Sequence, residues 1–514
     1  MTQEQLNKLS TGSYLKFSFA DCCVQETIEA RKLLCTARFD IYAILVYIDH
    51  KIKGVKNLSW AKEVYRERTG AMTGNKWSEN GNEDKNSFED FICVLDQLID
   101  DFNNNHFDKE RTLIPVDKDY IPMDGAHRVA CAAYFGTKIN ILRFPDREYQ
   151  FKGYQYLKHE LLPTRISDYM ALESIRWHED LFVYFLWPQA HLNNEKLKKA
   201  QDIIYDNLDV LYDVEYKLSY IAIRNLMIQI YGHMEWLGNI DNDFVNVIKK
   251  VDEVWASNGL VQIIVTRCNS CETITYLKTQ IREMFGIGLS SCHSTDNQRE
   301  TKLALNILLN PLSRHFLEQA KPTLFKESFK RIVFFKEIIK KNGLSLDNFI
   351  VDSSTVLAIY GLRDARDLDY YCLPNNYLKS DMCPNVVEEH DNTQKEYYAY
   401  PIQDYIISPE HYFVFNEVKF ISLADLLIFK SNRYAQTREA KDSIDIELIK
   451  SIVKNDNIVS KSMLSLKYYI LRKRRAVHDY FYALFYWRRK EILEKIGLYK
   501  PLKALKTYYE RHKD

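Results

Sequence analysis

The sequence predicts a multidomain α/β (α+β) protein, and three observations carry that reading. Its 514 residues, 46% hydrophobic and 13% aromatic, exceed what one core takes up, since single cores stop growing near about 250–300 residues. Strand-like runs alternate with helix-like runs, most regularly between 251 and 310. Within the C-terminal half, an apolar strand, a small-residue turn and a short helix precede an acidic strand. The expected units are a first α/β domain over 1–150, a helical connector over 151–250, a mixed sheet with flanking helices over 251–460, and a basic amphipathic tail over 461–514.

Residues 1 to about 37 read as a polar leader with one amphipathic helix, and "RFDIYAILVYID" as a strand or short helix entering the first domain. A Gly/Asn-rich loop around 70–86 separates two helices. The second repeats Phe88, Phe91, Ile92, Leu95, Leu98 and Ile99 at helical spacing. "TLIPVDKDYIPM" predicts two short strands joined by a charged turn. Asp124 and Gly125 then open a helix over Arg128–Phe135, Gly136 stops it, and "TKINILRF" returns as a strand.

From about 155 to 250 the pattern is read as helical throughout. It then switches to strand "LVQIIVTR", helix "CETITYLKTQIREMFG", strand "LSSCHST" and helix "NQRETKLALNILLN". A long helix closed by Gly343 leads into "FIVDSSTVLAIYGLRDARDLDYY".

The net charge is zero, yet the last 54 residues carry fifteen Lys/Arg and five Asp/Glu, so the tail is +10 and the rest −10. Its basic clusters interleave with aromatic residues, a pattern that suits an anionic membrane surface or a nucleic-acid backbone. No uncharged apolar run approaches the ~20 residues that span a bilayer, and the N-terminus lacks the apolar stretch of a signal peptide. The cysteines show no regular pairing, so a cytoplasmic setting is expected, with a peripheral contact at the inner membrane face through the tail. Cys268 and Cys271 form the only Cys-x-x-Cys pair; without a second pair at zinc-ribbon spacing, they read as ordinary thiols.

Two motifs carry chemistry. In "MDGAHRVACAAYFG" a turn with Gly125 presents backbone N–H groups, the imidazole of His127 and the guanidinium of Arg128 around one point, where the helix dipole also favours an anion. The plainer alternative is that Asp124 caps the helix and His127 and Arg128 lie on its surface. In "RDLDYY" strand alternation turns Asp367 and Asp369 to the same side. Two carboxylates so placed call for a cation, and magnesium shared with substrate phosphates is the usual solution.

The run "LIPVDKDYIPMDGAHRVACAAYFGTKINILRF" resembles the ParB/sulfiredoxin-like fold, whose members include sulfiredoxins, free-serine kinases and CTP-binding segregation proteins. The resemblance implies that Asp124, Gly125, His127 and Arg128 cradle nucleotide phosphates, with Asp40 as a substrate base or metal partner. Ala126 stands where sulfiredoxins carry their reactive cysteine, so it implies kinase-like transfer instead. The stretch from about 350 to 450 resembles the nucleotidyltransferase fold. Ser353 and Ser354 match its small-residue pair and Asp367 and Asp369 its metal ligands. Lys430, Arg433, Lys441 and Asp442 match the helical portion that closes the site. Its third carboxylate is Asp404, Glu410 or Glu417, with Glu417 preferred.

The resemblances together imply a bifunctional phosphotransferase of bacterial surface glycan metabolism. It would use Mg2+ and a nucleoside triphosphate, ATP or CTP, and a small hydroxyl or glycan acceptor. The alternatives are a ParB-like nucleotide-binding DNA-associated protein or nuclease, and a nucleotidylating defence or toxin component.

Overall fold

The computed structural model of the chain describes residues 1–9, 17–78, 85–149, 153–378, 386–453 and 461–495. Within them three open sheets are flanked by helices, a mixed α/β architecture.

The first sheet holds β1 (Val24–Glu29), β2 (Ile114–Val116) and β3 (Lys138–Arg143) in the order β1-β3-β2. β3 runs antiparallel to β1 and parallel to β2, and the helix Ala126–Tyr134 makes the crossover between the parallel pair. The expected polar leader therefore contributes an edge strand, whose half-polar pattern hides it from an apolar-alternation reading. "TLIPVDKDYIPM" forms one strand rather than two: its second half closes back only through an isolated bridge from Val116 to Pro122.

"RFDIYAILVYID" becomes the helix Ile41–Ile52, in which every residue from Ile41 to His50 is buried. Its aliphatic and aromatic content fits a strand equally well. The neighbours decide, since the helices Ser59–Thr73, Ala126–Tyr134 and Thr164–Ser174 surround it, and a helix apolar all round belongs inside a core. The helix Phe88–Asn103 forms as expected, started by a reciprocal cap between Ser87 and Asp90, with Phe88, Phe91, Ile92, Leu95 and Ile99 buried.

The helical connector expected over 151–250 needs correction. That span contains β4 (Leu181–Leu186) and β5 (Asp209–Lys217), which pair with β6 (Leu260–Arg267) and β7 (Cys292–Ser294) in an antiparallel sheet ordered β5-β6-β4-β7. All six residues of β4 are buried: Leu181, Val183 and Phe185 face one apolar cluster, Phe182, Tyr184 and Leu186 another. A strand covered on both faces has no alternation to read.

The third sheet orders β8 (Phe349–Val351), β9 (Leu368–Cys372), β10 (Val387–Glu389), β11 (Tyr412–Phe415) and β12 (Val418–Ile421) as β10-β9-β8-β12-β11. One apolar cluster runs from Ala30 to Ile449 and includes residues of all three sheets, so the units share a core. Side chains reinforce the joins: Asp404 accepts from the backbone N–H groups of Lys56 and Asn57 at 2.8–3.1 Å, linking the third unit to the first.

The tail forms the helix Lys461–Lys495, and its last residues, 496–514, lie outside the described residues, as do 79–84 of the polar loop. The helix is pinned by Arg472, buried against Glu67 at 2.5 Å and Asn75 at 3.0 Å. Beyond that anchor Tyr480, Phe481, Tyr482 and Phe485 are exposed. No described helix is long and apolar enough to cross a membrane.

Candidate functional site

Two clusters contain the residues singled out by sequence. The first lies where β2 gives way to the helix Ala126–Tyr134. Asp117 orders the intervening loop, accepting from the backbone of Asp119, Ile121 and Tyr149 at 2.9 Å each. Gly125 then takes a left-handed φ of +78° at the cap position; a Cβ there would come within 2.6 Å of Ile114 Cδ1 and 3.0 Å of Arg128 Nη2. No side chain caps the helix, so Asp124 does not play that part.

His127 is half-buried, and its Nε2 lies 2.6 Å from the hydroxyl of Tyr65. Burial, with the nearby cations Lys85, Arg68 and Arg128, holds its pKa well below the usual histidine value, and Asp40 only partly offsets them. At neutral pH it is an uncharged imidazole, able to donate or accept but not to supply positive charge. Arg128 hydrogen-bonds Thr112.

Asp40 is fully buried and doubly held. Its Oδ1 accepts from Arg38 Nε at 2.8 Å, and its Oδ2 from Arg38 Nη2 at 3.0 Å and from Arg68. Arg38 also donates to the carbonyl of Pro122, tying the pair to the loop before Gly125. A carboxylate between two guanidiniums is a poor base. Its placement suits orienting Arg68 more than taking a proton. Tyr65, Arg68 and Lys85 belong to this cluster but lie some sixty and forty residues before His127, where no local motif marks them.

The second cluster is built on β8, β9 and β10. β8 is followed by Asp352, fully buried, which accepts from the backbone N–H of Ser353 at 2.5 Å and lies 3.1 Å from His390 Nδ1. Ser353 has a φ of +57°, a conformation that favours glycine. Ser353 shares this left-handed backbone with other non-glycine turn residues such as Asn105 and Asn416. Ser354 donates to Asp367 at 3.4 Å, and Thr355 to the Asp367 carbonyl at 2.9 Å, so the short helix Ser353–Ile359 is stitched to the start of β9.

Along β9, Leu368 and Tyr370 are buried while Asp369 is half-buried. β10 runs parallel beside it, and Glu388 stands in register with Asp369. Burial, together with Asp367, Asp352 and Glu388, pushes the Asp369 carboxyl up to about 6, against the opposing pull of His390. Asp352, Glu388 and His390 were not singled out by the sequence. The one available signal was the Glu388–His390 spacing, which alternates as a strand does.

Glu417 occupies a different place. It sits in the two-residue turn between β11 and β12 and meets Arg299 at 2.6 Å, Lys340 at 3.2 Å and Lys336 at 3.4 Å. Burial opposes ionisation there, but these three cations draw its carboxyl down to about 2. A carboxylate so neutralised has little charge left for a metal. Asp404 is likewise engaged, on the backbone of the first unit, and Glu410 lies within 3.7 Å of His411. Glu388 is the acid that the fold sets beside Asp369.

Lys430 and Arg433 are buried within ion pairs. Lys430 lies 3.2 Å from Asp442 and 3.0 Å from Asp445, Arg433 meets Asp442 at 2.5 Å, and Arg363 meets Asp445 at 2.5 Å. These pairs bind the helices Leu423–Thr437 and Ala440–Val453 together behind the cluster. Lys441 points outward, 2.9 Å from Glu439. Neither lysine is placed by these contacts to hold a phosphate.

Among the described residues no three His, Cys, Asp or Glu side chains are already arranged to hold a metal ion, and Cys268 and Cys271 bond to the carbonyls of Ser270 and Asp296. Magnesium asks for less than such a cage: it keeps several waters and takes one or two carboxylates plus substrate phosphates. Asp367, Asp369 and Glu388 form no ion pair with Lys or Arg among the described residues, so the donor set fits that cation in chemistry and charge.

A comparison with protein-family models, with curated proteins and with solved structures finds no match to this chain in any of the three. The clusters must be read from their own chemistry.

Proposed function

We propose that the chain is a magnesium-dependent phosphotransferase whose transfer site is the carboxylate cluster of β9 and β10. The observation that carries this reading is charge: burial, and after it Asp367, Asp352 and Glu388, raise the Asp369 carboxyl to about 6 against the pull of His390, and no Lys or Arg pairs with it among the described residues. Like charges held together without compensation are costly, and a divalent cation relieves them.

In this reading Asp367 and Asp369 hold magnesium and Glu388 adds the third acid. Magnesium bound there would supply charge neutralisation for the phosphate oxygens of a nucleoside triphosphate, which in-line attack by a hydroxyl requires. Ser353 and Ser354 bring the backbone of the tight turn beside the phosphates, and His390, oriented by Asp352, is placed to take the proton of the incoming hydroxyl. The group moved is a nucleotidyl unit, with pyrophosphate leaving, or, from a nucleoside diphosphate-alcohol donor, a phospho-alcohol unit, with the nucleoside monophosphate leaving; the acceptor is a small hydroxyl compound or glycan.

The cluster around His127 and Arg128 is the second phosphate site of the proposal. Arg68, Lys85 and Arg128 supply positive charge, and the Gly125 turn gives close backbone approach. It would bind the nucleotide of a kinase-like step, with neutral His127 as hydrogen-bond partner.

The test is product formation from each nucleoside triphosphate with magnesium and cell extract, followed by phosphorus NMR. A new phosphodiester or phosphomonoester that disappears in Asp367→Asn supports the reading. Equal turnover in Asp367→Asn and wild type would sink it.

For the tail, the exposed Tyr480, Phe481, Tyr482 and Phe485, set among Lys473, Arg474, Arg488 and Arg489, favour a peripheral contact with an anionic bilayer. Co-sedimentation with phosphatidylserine vesicles and none with phosphatidylcholine vesicles is the expected result. Tight, steeply salt-dependent binding to duplex DNA instead would favour the nucleic-acid alternative.

A further inference from the structure

A cavity of about 550 Å³ opens on the second unit, lined by none of the residues of either cluster. It lies between the helix Val247–Val254, the helix Cys271–Phe285 and strand β7, and it combines two kinds of surface. Tyr231 and Trp236 form an aromatic wall with ring centroids 5.6 Å apart, and His293 meets Tyr231 edge-on at 5.4 Å. Lys249, Lys250 and Arg282 form a cationic wall, against the single acid Glu253. The lining therefore carries a surplus of two positive charges.

Three polar groups there lack partners that a packed surface would supply. The His293 Nε2 is buried with no hydrogen bond among the described residues. Burial and the nearby Lys278 hold that ring neutral, with its pKa brought down to about 3, so Nε2 meets a ligand as an uncharged donor or acceptor. Arg282 spends its Nε on the Cys292 carbonyl at 3.0 Å, and its terminal nitrogens have no hydrogen-bond partner among the described residues. Lys249 is exposed and forms no ion pair there, whereas Lys250 is buried and held by Glu253 at 3.3 Å.

Trp236 is 47% exposed although it belongs to the aromatic wall, so part of its indole is open to a stacking partner. An open indole beside a buried unpartnered imidazole suits a flat heteroaromatic ring with polar edges, and two surplus cations suit an anion attached to it. The volume is that of a site for a metabolite-sized ligand. We propose that this cavity binds a nucleotide, a base carrying one or more phosphates, at a site separate from the carboxylate cluster. The base stacks on Trp236 with its edge at His293, and the phosphate lies between Lys249 and Arg282. The site does not depend on the transfer reaction proposed above.

The experiment titrates the full chain with AMP, CMP, GMP and UMP in chelator, so that no metal bridges a nucleotide to Asp367 and Asp369, and reads tryptophan fluorescence and calorimetric heat. At least one of the four is expected to bind and to quench an emission that is absent in Trp236→Phe. Lys249→Glu, a change at an exposed position, is expected to weaken that binding about tenfold or more. Asp367→Asn is expected to bind as wild type does. The inference is overturned by any of four results: no binding at millimolar nucleotide, binding unchanged in both Lys249→Glu and Trp236→Ala, ribose 5-phosphate binding as tightly as the nucleotide, or binding lost in Asp367→Asn.

Discussion

The clusters around Asp40 and Asp369 hold similar residue types in opposite electrostatic states. Asp40 is fully buried, and Arg38 and Arg68 occupy both of its oxygens. Asp369 is half-buried, sits among Asp352, Asp367 and Glu388, and has its carboxyl raised to about 6. The protein compensates the first carboxylate fully from within, whereas the second has only the partial pull of His390 against burial and three acids. That difference separates a carboxylate that orders a cationic pocket from one that recruits a cation.

The comparison breaks most sharply at chemistry. Asp367→Asn and Asp369→Asn should each lower transfer at least about a hundredfold, while nucleotide binding at the His127 cluster stays as in wild type. Single-turnover product formation together with equilibrium nucleotide binding separates the two. If both variants lose both properties, the clusters are not independent.

Stability should respond in opposite directions. Asp40→Ala leaves two buried guanidiniums without their partner and should cost about 3–5 kcal/mol in urea unfolding. Asp369→Asn removes one charge from a repelling group and should stabilise the metal-free protein by about 1–2 kcal/mol at pH 8. Magnesium should raise the melting temperature of wild type and not of Asp369→Asn. A loss of stability in Asp369→Asn without metal would mean that the cluster is already compensated.

The smallest expected effect is at His127. Its folded pKa is lowered, so below the unfolded value of about 6.5 the unfolded chain takes up a proton that the folded one does not, and stability falls as the pH drops. Lys85, Arg68 and Arg128 oppose that proton and Asp40 favours it. In His127→Gln the acid-induced loss between pH 7 and about 5.5 should shrink by about 1 kcal/mol. An identical slope in both proteins would show that His127 is already accessible to protons.

Some of this was legible in the chain. The spacing of Phe88, Phe91 and Leu95 announces their helix because an apolar stripe is local. The strand at Leu260–Arg267 and the helix at Cys271–Phe285 stand where the pattern puts them. Other parts were not legible, because their determinants are distant. β4 lost its alternation to burial on both faces, and β1 is an edge strand recognisable only beside β3. Glu417 looked as available as any strand-end acid until Arg299, Lys336 and Lys340 gathered around it from two helices.

By itself the sequence determined that Asp367 and Asp369 stand two residues apart behind a small-residue turn, and that His127 and Arg128 follow a glycine at a helix start; the strand expected to hold both acids begins at Leu368, so that Asp367 lies in the bend before it. Those are relations between near neighbours, set by backbone periodicity and turn chemistry. Only the tertiary structure decided which charges are cancelled. Arg68 reaches Asp40 from 28 residues away, Asp442 and Asp445 hold Lys430 inside the fold, and Glu388 comes beside Asp369 through strand pairing. The energy of a charge depends on what lies within a few ångströms in space, and chain order does not record that distance.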